Sequence, residues 1–223
     1  MKNKKGYIFF GVVFGALCLL AAIALGLAFI HVGDFIYAAD CDILNIPETS
    51  GYSKEVCVNN YKAMMDFLSP FKKTEFNLPD LAFSETGAFH FEECRNLFIG
   101  FYLAGAFSAV LIVLFSIAAK KRKINNRFLL VSSITTLTIP AFLLAAFSIN
   151  FDAAFIVFHK IFFNNDFWYF DYRTDQIINI LPETFFMHCA IIITVFLLLA
   201  AVVQYILYKK YGKQHNVIEK RAH

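Results

Sequence analysis

Two histidines of this chain stand where an imidazole has proton chemistry within reach. His90 lies in Phe83–Phe98 (FSETGAFHFEECRNLF), and His159 is the second residue of the aromatic stretch Phe158–Phe186. Histidine takes up and returns a proton near neutral pH, so two at one boundary point to general acid–base work. The competing interpretation is that each is a hydrogen-bonded packing residue. On a helix, His90, Glu93, Cys94 and Leu97 fall at i, i+3, i+4 and i+7 and share a face. Cys94, one turn from His90, is either a thiol the imidazole activates or a small residue turned to a bundle. The chain has no G-x-S-x-G elbow, so an enzyme built this way would draw its nucleophile from the substrate. His31, His90, His159 and His188, with Glu92, Glu93 and Asp166, offer metal-binding types. They lack HExxH or HxH spacing, and neither a metal nor another cofactor is expected.

The stretch Phe158–Phe186 (FHKIFFNNDFWYFDYRTDQIINILPETFF) is unusual for a connection between apolar segments. It holds seven Phe, two Tyr and the only Trp, interleaved with Asn, Asp and Arg. Rings alternating with hydrogen-bonding groups suit the level where hydrocarbon meets water.

Four uncharged stretches must position these segments: Tyr7–Ile30, Leu97–Ala119, Phe128–Phe151 and Phe185–Tyr208. A bilayer span needs about 20 apolar residues, and 59% apolar composition is excessive for a soluble domain. The first stretch has lysines before it, as a signal peptide does. It is too long and lacks a small-residue cleavage pattern before Asp34, so a retained span is expected. Of 20 Lys and Arg, 13 lie in the N-terminal tail, in Lys120–Arg127 and after Tyr208, alongside the single acidic residue Glu219. The other connections, His31–Asn96 and Asp152–Thr184, carry most of the acidic residues. The positive-inside rule therefore predicts cytoplasmic termini and two outer connections. The basic clusters are juxtamembrane anchors, and a nucleic-acid partner is not expected.

The expected architecture is an all-α polytopic protein: a single membrane domain over residues 1–223, four spans and an outer cap of short helices. Tyr61, Met64, Met65 and Leu68 mark a helix over Val58–Leu68, ended by Ser69-Pro70. Short strands are allowed within Ile43–Val56. Ser84 is placed to cap a helix that runs into the second span, with Glu85 in its first turn. His90 then sits about 10 Å outside the start of that span, and His159 also lies outside. Gly11 and Gly15 have the spacing of a close helix contact. Pro140 frees the carbonyl of Thr136 within the third span, where Ser132, Ser133, Thr135, Thr136 and Thr138 are near enough to absorb it. Cys41 and Cys57 share an outer connection and are candidates for a disulfide.

Three segments together, Asn60–Phe71 (NYKAMMDFLSPF), Phe83–Phe98 and Phe158–Phe186, resemble the Lit family of bacterial membrane enzymes, the lipoprotein intramolecular transacylases. The run FFNNDFW…FD.RTD…LPE.FF is the most specific. Where the family pattern reads Asp-Val-Lys after its histidine, this chain reads Glu93-Cys94-Arg95. The resemblance implies a cell-membrane acyltransferase whose partner is a diacylated lipoprotein held among membrane lipid. The sn-2 acyl chain moves to the α-amine of the N-terminal cysteine, leaving a lyso-form product. It also implies that His90 is the essential histidine and that His159 is the second catalytic one. Asn164, Asn165, Asp166, Trp168, Arg173 and Arg95 become candidates for binding substrate or stabilising an oxyanion, while the structural alternative for Asp166, Asp171 and Asp175 is turn capping and pairing with Arg173. Two rival readings stay open: a non-enzymatic four-span scaffold or channel component, and an acyltransferase that acylates Cys94.

Overall fold

A computed structural model describes residues 4–122 and 124–221, with side chains described over 5–122, 124–147 and 149–211. The eight α-helices among the described residues are α1 (Lys4–Val32), α2 (Asp34–Ile43), α3 (Ile46–Ser50), α4 (Lys54–Leu68), α5 (Glu85–Lys121), α6 (Arg127–Ile149), α7 (Phe151–Phe162) and α8 (Glu183–Arg221). A 3-10 turn spans Gln176–Ile180. Four of the helices are long and apolar enough to cross a membrane, over Lys5–Val32, Glu85–Lys121, Arg127–Phe147 and Glu183–Tyr211. Large apolar side chains such as Leu103, Phe107, Phe142 and Val203 point outward. That is the arrangement expected when lipid tails are the solvent. Some of the basic residues that predict orientation, among them Lys2, Lys123, Lys213 and Lys220, lie outside the described residues or side chains.

The chain forms two compact units. One comprises residues up to Gly26, Leu103–Ala145 and Ile193 onward. In it, Gly11 packs on Val131 and the Phe128 carbonyl, and Gly15 on Ser132 and Thr135, leaving no room for a Cβ at either. The close helix contact expected from their spacing is made with α6. Buried Gln204 of α8 hydrogen-bonds Ser132 and Thr136, and the Thr136 hydroxyl reaches the Gly15 carbonyl at 3.2 Å. Ser133 donates to the Ala201 carbonyl at 2.9 Å. These hydroxyls, with Thr135 and Thr138 donating to Val131 and Ile134, serve carbonyls other than that of Thr136. These hydroxyls are divided between neighbouring helices and carbonyls four residues back in α6, in place of the expected relief of the Pro140 defect.

The other unit comprises Leu27–Tyr102 and Ala146–Ile192. It contains α2, α3, α4 and α7 and no strand among the described residues, so Ile43–Val56 is helical rather than extended. Pro47 near the start of α3 and Gly51 in a left-handed conformation after it make one short helical turn of that stretch. Helix α4 begins earlier than its apolar stripe because Ser53 accepts the Val56 amide at 3.2 Å, and it ends at Leu68 before Ser69-Pro70. The core is aromatic. Tyr37 and Tyr61 stack at 4.1 Å, Phe185 meets both edge-on, and the Tyr37 hydroxyl donates to the Ile180 carbonyl at 2.7 Å. Cys41 and Cys57 are buried free thiols, so the candidate disulfide is not formed. Burial pushes the Cys41 thiol up to about 11 and raises that of Cys57, keeping both as protonated packing groups.

One junction sets the site. Ser84 caps α5 as expected, accepting the Gly87 amide at 3.0 Å. Buried Asp175 accepts from the Ser84 amide at 2.9 Å and from its hydroxyl at 2.8 Å. The adjacent Gln176 exchanges two bonds with Ala82, at 3.0 and 2.8 Å. A Cβ on Gly87 would run into the Asp175 carboxylate, whereas one on Gly100 of the same helix meets nothing within 4 Å. Gly87→Ala is therefore expected to destabilise by about 1–3 kcal/mol and Gly100→Ala to be neutral or slightly stabilising. Thermal unfolding of the two variants in detergent checks this contrast.

Candidate active site

Helix α5 carries His90 to one side of an aromatic chamber and α7 carries His159 to the other. The expected face of α5 is present: His90 Nε2 lies 3.4 Å from Cys94 Sγ, and His90 Nδ1 lies 3.9 Å from Glu93 Oε2. Helix α6 ends at Ile149, and Asn150 restarts the chain by accepting the Ala153 amide at 2.9 Å. On the new helix, Val157, Phe158, Ile161 and Phe162 are exposed and His159 turns inward. The two imidazoles are 5% and 7% exposed, with ring centroids 5.8 Å apart. Phe163 lies 4.7 Å from the His90 ring and 5.5 Å from that of His159. Trp168 stacks on His159 at 4.6 Å, and Phe155 flanks it at 4.1 Å.

The hydrogen bonds of His159 assign its tautomer. Its Nδ1 lies 2.8 Å from the Phe155 carbonyl, which only accepts, so Nδ1 carries the hydrogen and Nε2 holds the free lone pair. Burial lowers the His159 pKa from its ordinary value, partly opposed by that backbone bond. The ring is a neutral acceptor at neutral pH.

The remaining candidates divide. Asn165 and Trp168 join the histidines: the Asn165 amide donates to Glu93 Oε1 at 2.8 Å, and the Trp168 indole donates to the Asn165 carbonyl at 3.0 Å. Asn165 Oδ1 also accepts the Phe167 amide at 3.0 Å, so this residue is the knot of the loop. Asn164 and Asp166 are exposed. Arg173 is exposed and grips Asp171 through Nε and Nη2, at 3.0 and 2.6 Å, and this pairing holds the Asp171 carboxyl down at about 2. Arg95 donates to the Lys72 carbonyl at 2.7 Å and lies over the Phe67 ring at 5.0 Å, bracing the segment between α4 and α5. Asp171 caps its own turn by accepting the Arg173 amide at 3.0 Å, whereas Asp175 makes no side-chain cap bond to the 3-10 turn after it and is engaged by Ser84 and Thr174. An open cavity of about 660 Å³ lies along another face of α5, lined by Phe67, Phe76, Glu92, Arg95 and Ile99, and includes neither histidine. Among the described residues no three His, Cys, Asp or Glu side chains gather as a metal site requires.

A second imidazole–carboxylate pair was not singled out by sequence reasoning. His188 Nδ1 of α8 lies 2.9 Å from Oδ1 of buried Asp40 on α2. Both residue types were visible in the sequence, but no spacing connects them.

The family model described as lipoprotein intramolecular transacylase Lit matches residues 12–186. The chain belongs to the Lit family. An in meso structure of the membrane-integral lipoprotein intramolecular transacylase Lit from Bacillus cereus is 32% identical, with a TM-score of 0.88, covering 96% of this chain and 100% of that one. Two forms of that enzyme, with one histidine replaced by arginine or by alanine, each align with a TM-score of 0.82 at 32% identity. They cover 96% of this chain and 95% and 96% of theirs. No curated protein matches.

The lowered pKa of His159 has a consequence for this Lit-family chain. The folded state resists protonating the ring, whereas the unfolded chain takes the proton near its ordinary value of about 6.5. The stability His159 contributes is thus complete above about pH 6.5 and is lost as pH falls from there through the lower folded-state value. His159→Gln is expected to show a shallower loss of melting temperature on acidification than the parent. Melting curves across that window, normalised to neutral pH, make the comparison.

Proposed function

We propose that this Lit-family chain moves the sn-2 acyl chain of a diacylglyceryl lipoprotein to the α-amine of the same molecule's N-terminal cysteine. The observation carrying this reading is the pair of buried imidazoles 5.8 Å apart, presented on α5 and α7 inside an aromatic chamber. The amine is the nucleophile, so no protein residue need be acylated. It attacks the ester carbonyl, and His90 takes a proton from the nitrogen as the tetrahedral adduct forms. The carbon–oxygen bond to glycerol then breaks, the amide remains, and the departing oxygen receives that proton from His90 directly or through His159. One ester becomes one amide and one hydroxyl, and no water is consumed. Both reacting groups belong to one molecule, so holding them in an attacking pose contributes about 7–11 kcal/mol of the rate enhancement. The aromatic walls favour lipid over water, at about 0.8 kcal/mol for each buried CH₂.

Three further assignments belong to this reading. The termini lie in the cytoplasm and the histidine chamber faces outside, as the charge distribution implies. The site consists of His90 and His159, with Asn165 and Trp168 shaping the chamber from the loop after α7. Asn164, Asp166, Arg173 and Arg95 bind substrate or steady the oxyanion only after rearrangement, since the first two are exposed and the two arginines are engaged elsewhere.

The test is mass spectrometry of a lipoprotein N-terminus from a diacyl-producing bacterium expressing the chain. The parent should convert diacyl to N-acyl lyso product, and His90→Ala should lose conversion by on the order of 10²-fold or more while its melting temperature stays near the parent's. Unchanged diacyl product with the parent would defeat the proposal. The contact of Cys94 with His90 keeps a covalent thioester route testable by the same method. Cys94→Ala should still turn over, and an acyl group trapped on Cys94 would reverse that expectation.

A further inference from the structure

Two polar atoms inside the chamber lack a hydrogen-bonding partner among the described residues, and they face each other. They are His90 Nδ1 and Glu93 Oε2, both buried and 3.9 Å apart. The other oxygen of Glu93 is held by the Asn165 amide at 2.8 Å, so the carboxylate is anchored from the far side of the chamber. A buried polar atom left unpaired is costly. Two of them one small step from a mutual hydrogen bond indicate a contact that tightens when charge appears on the ring. The other nitrogen agrees. A carboxylate only accepts, so a tightened contact with Glu93 requires the His90 hydrogen on Nδ1, which leaves Nε2 as the lone-pair nitrogen facing the Cys94 thiol 3.4 Å away. The titratable groups facing the ring are Glu93 and Cys94 from its own helix and His159 from α7.

We propose that Glu93, held by Asn165, is the positioning residue for His90: it keeps the ring in the tautomer with Nε2 basic and stabilises the imidazolium once the amine proton arrives. This rests on the reading of His90 as the base. In the resting state the thiol occupies Nε2; the incoming amine displaces it. The proton then resides on Nε2, and the Nδ1–H bond to Glu93 becomes charge-assisted at both ends, the strong kind. Asn165 sets where the carboxylate stands when this happens.

The experiment measures turnover of the full-length protein on a diacylated lipopeptide in detergent, as a function of pH, for Glu93→Gln, Glu93→Asp and Asn165→Ala. Glu93→Gln should lower kcat by on the order of 10²-fold with little change in KM. Its rising pH limb should move to lower pH by about half a unit or more, because the imidazolium has lost its anion. Glu93→Asp should recover much of kcat and restore the limb, and Asn165→Ala should fall between. A Glu93→Gln enzyme within about threefold of the parent, or one slowed with its limb unmoved, overturns the role. Should Glu93→Gln fail to fold, the limbs of Glu93→Asp and Asn165→Ala carry the same decision. His90→Gln separates the two layers: if it turns over, the base assignment falls and the role of Glu93 with it. If it is inactive while Glu93→Gln is not, only the present inference falls.

Discussion

Asp175 accepts three hydrogen bonds at a point where a free carboxylate would be expensive to bury. Two come from Ser84 and one from the Thr174 hydroxyl. Ser84 is the residue that starts α5, so the loop before α8 determines where the His90 helix begins. A charge-assisted bond is worth about 1.5–3 kcal/mol, and a buried carboxylate stripped of one loses at least as much. Ser84, Gly87 and Asp175 therefore stand or fall together. The loop that supplies Asp175 also supplies Asn165 and Trp168, so the clamp and the chamber wall are one segment. Moving α5 by a turn would carry His90 about 5.4 Å, close to the 5.8 Å that separates its ring from that of His159.

Aromatic packing does for this chamber what a polar scaffold does in a soluble enzyme. Phe155, Phe163 and Trp168 fix the two imidazoles by shape and leave few competing hydrogen-bond partners. The few polar contacts that remain are directional and each has a stated function: the Phe155 carbonyl chooses the His159 tautomer, and Asn165 holds Glu93. A dry site also strengthens electrostatics, so a carboxylate close to an imidazole counts for more than it would in water. These features suit a reaction that shuttles one proton between nitrogen and oxygen of a single bound molecule.

The sequence and the fold agree most closely where the physics is local. The four spans, the Ser84 cap, the Val58–Leu68 helix and the shared face of His90, Glu93 and Cys94 follow from hydropathy runs, capping chemistry and helical periodicity. Boundaries shifted where another residue captured the chain: Ser53 starts α4 early, and Asn150 divides α6 from α7. The strands allowed near Ile43–Val56 gave way to helices. Asp40 with His188, and Gln204 with Ser132 and Thr136, were illegible because each joins distant segments. The arginines read as oxyanion candidates stand in other contacts. Arg173 and Arg95 have the right chemistry but are engaged by Asp171 and by backbone carbonyls.

By itself the sequence determined that the chain lives in a bilayer, how many times its helices can cross, and which segments hold the imidazoles and carboxylates. Those properties depend on transfer free energy and on neighbours within a helical turn, and both are written in the order of residues. Only the tertiary structure decided that His90 meets His159, that Asn165 grips Glu93, and which nitrogen of the His159 ring carries hydrogen. Such facts depend on approach to within a few ångströms between residues far apart in the chain. Packing of the aromatic loop sets that approach, and no periodicity encodes it.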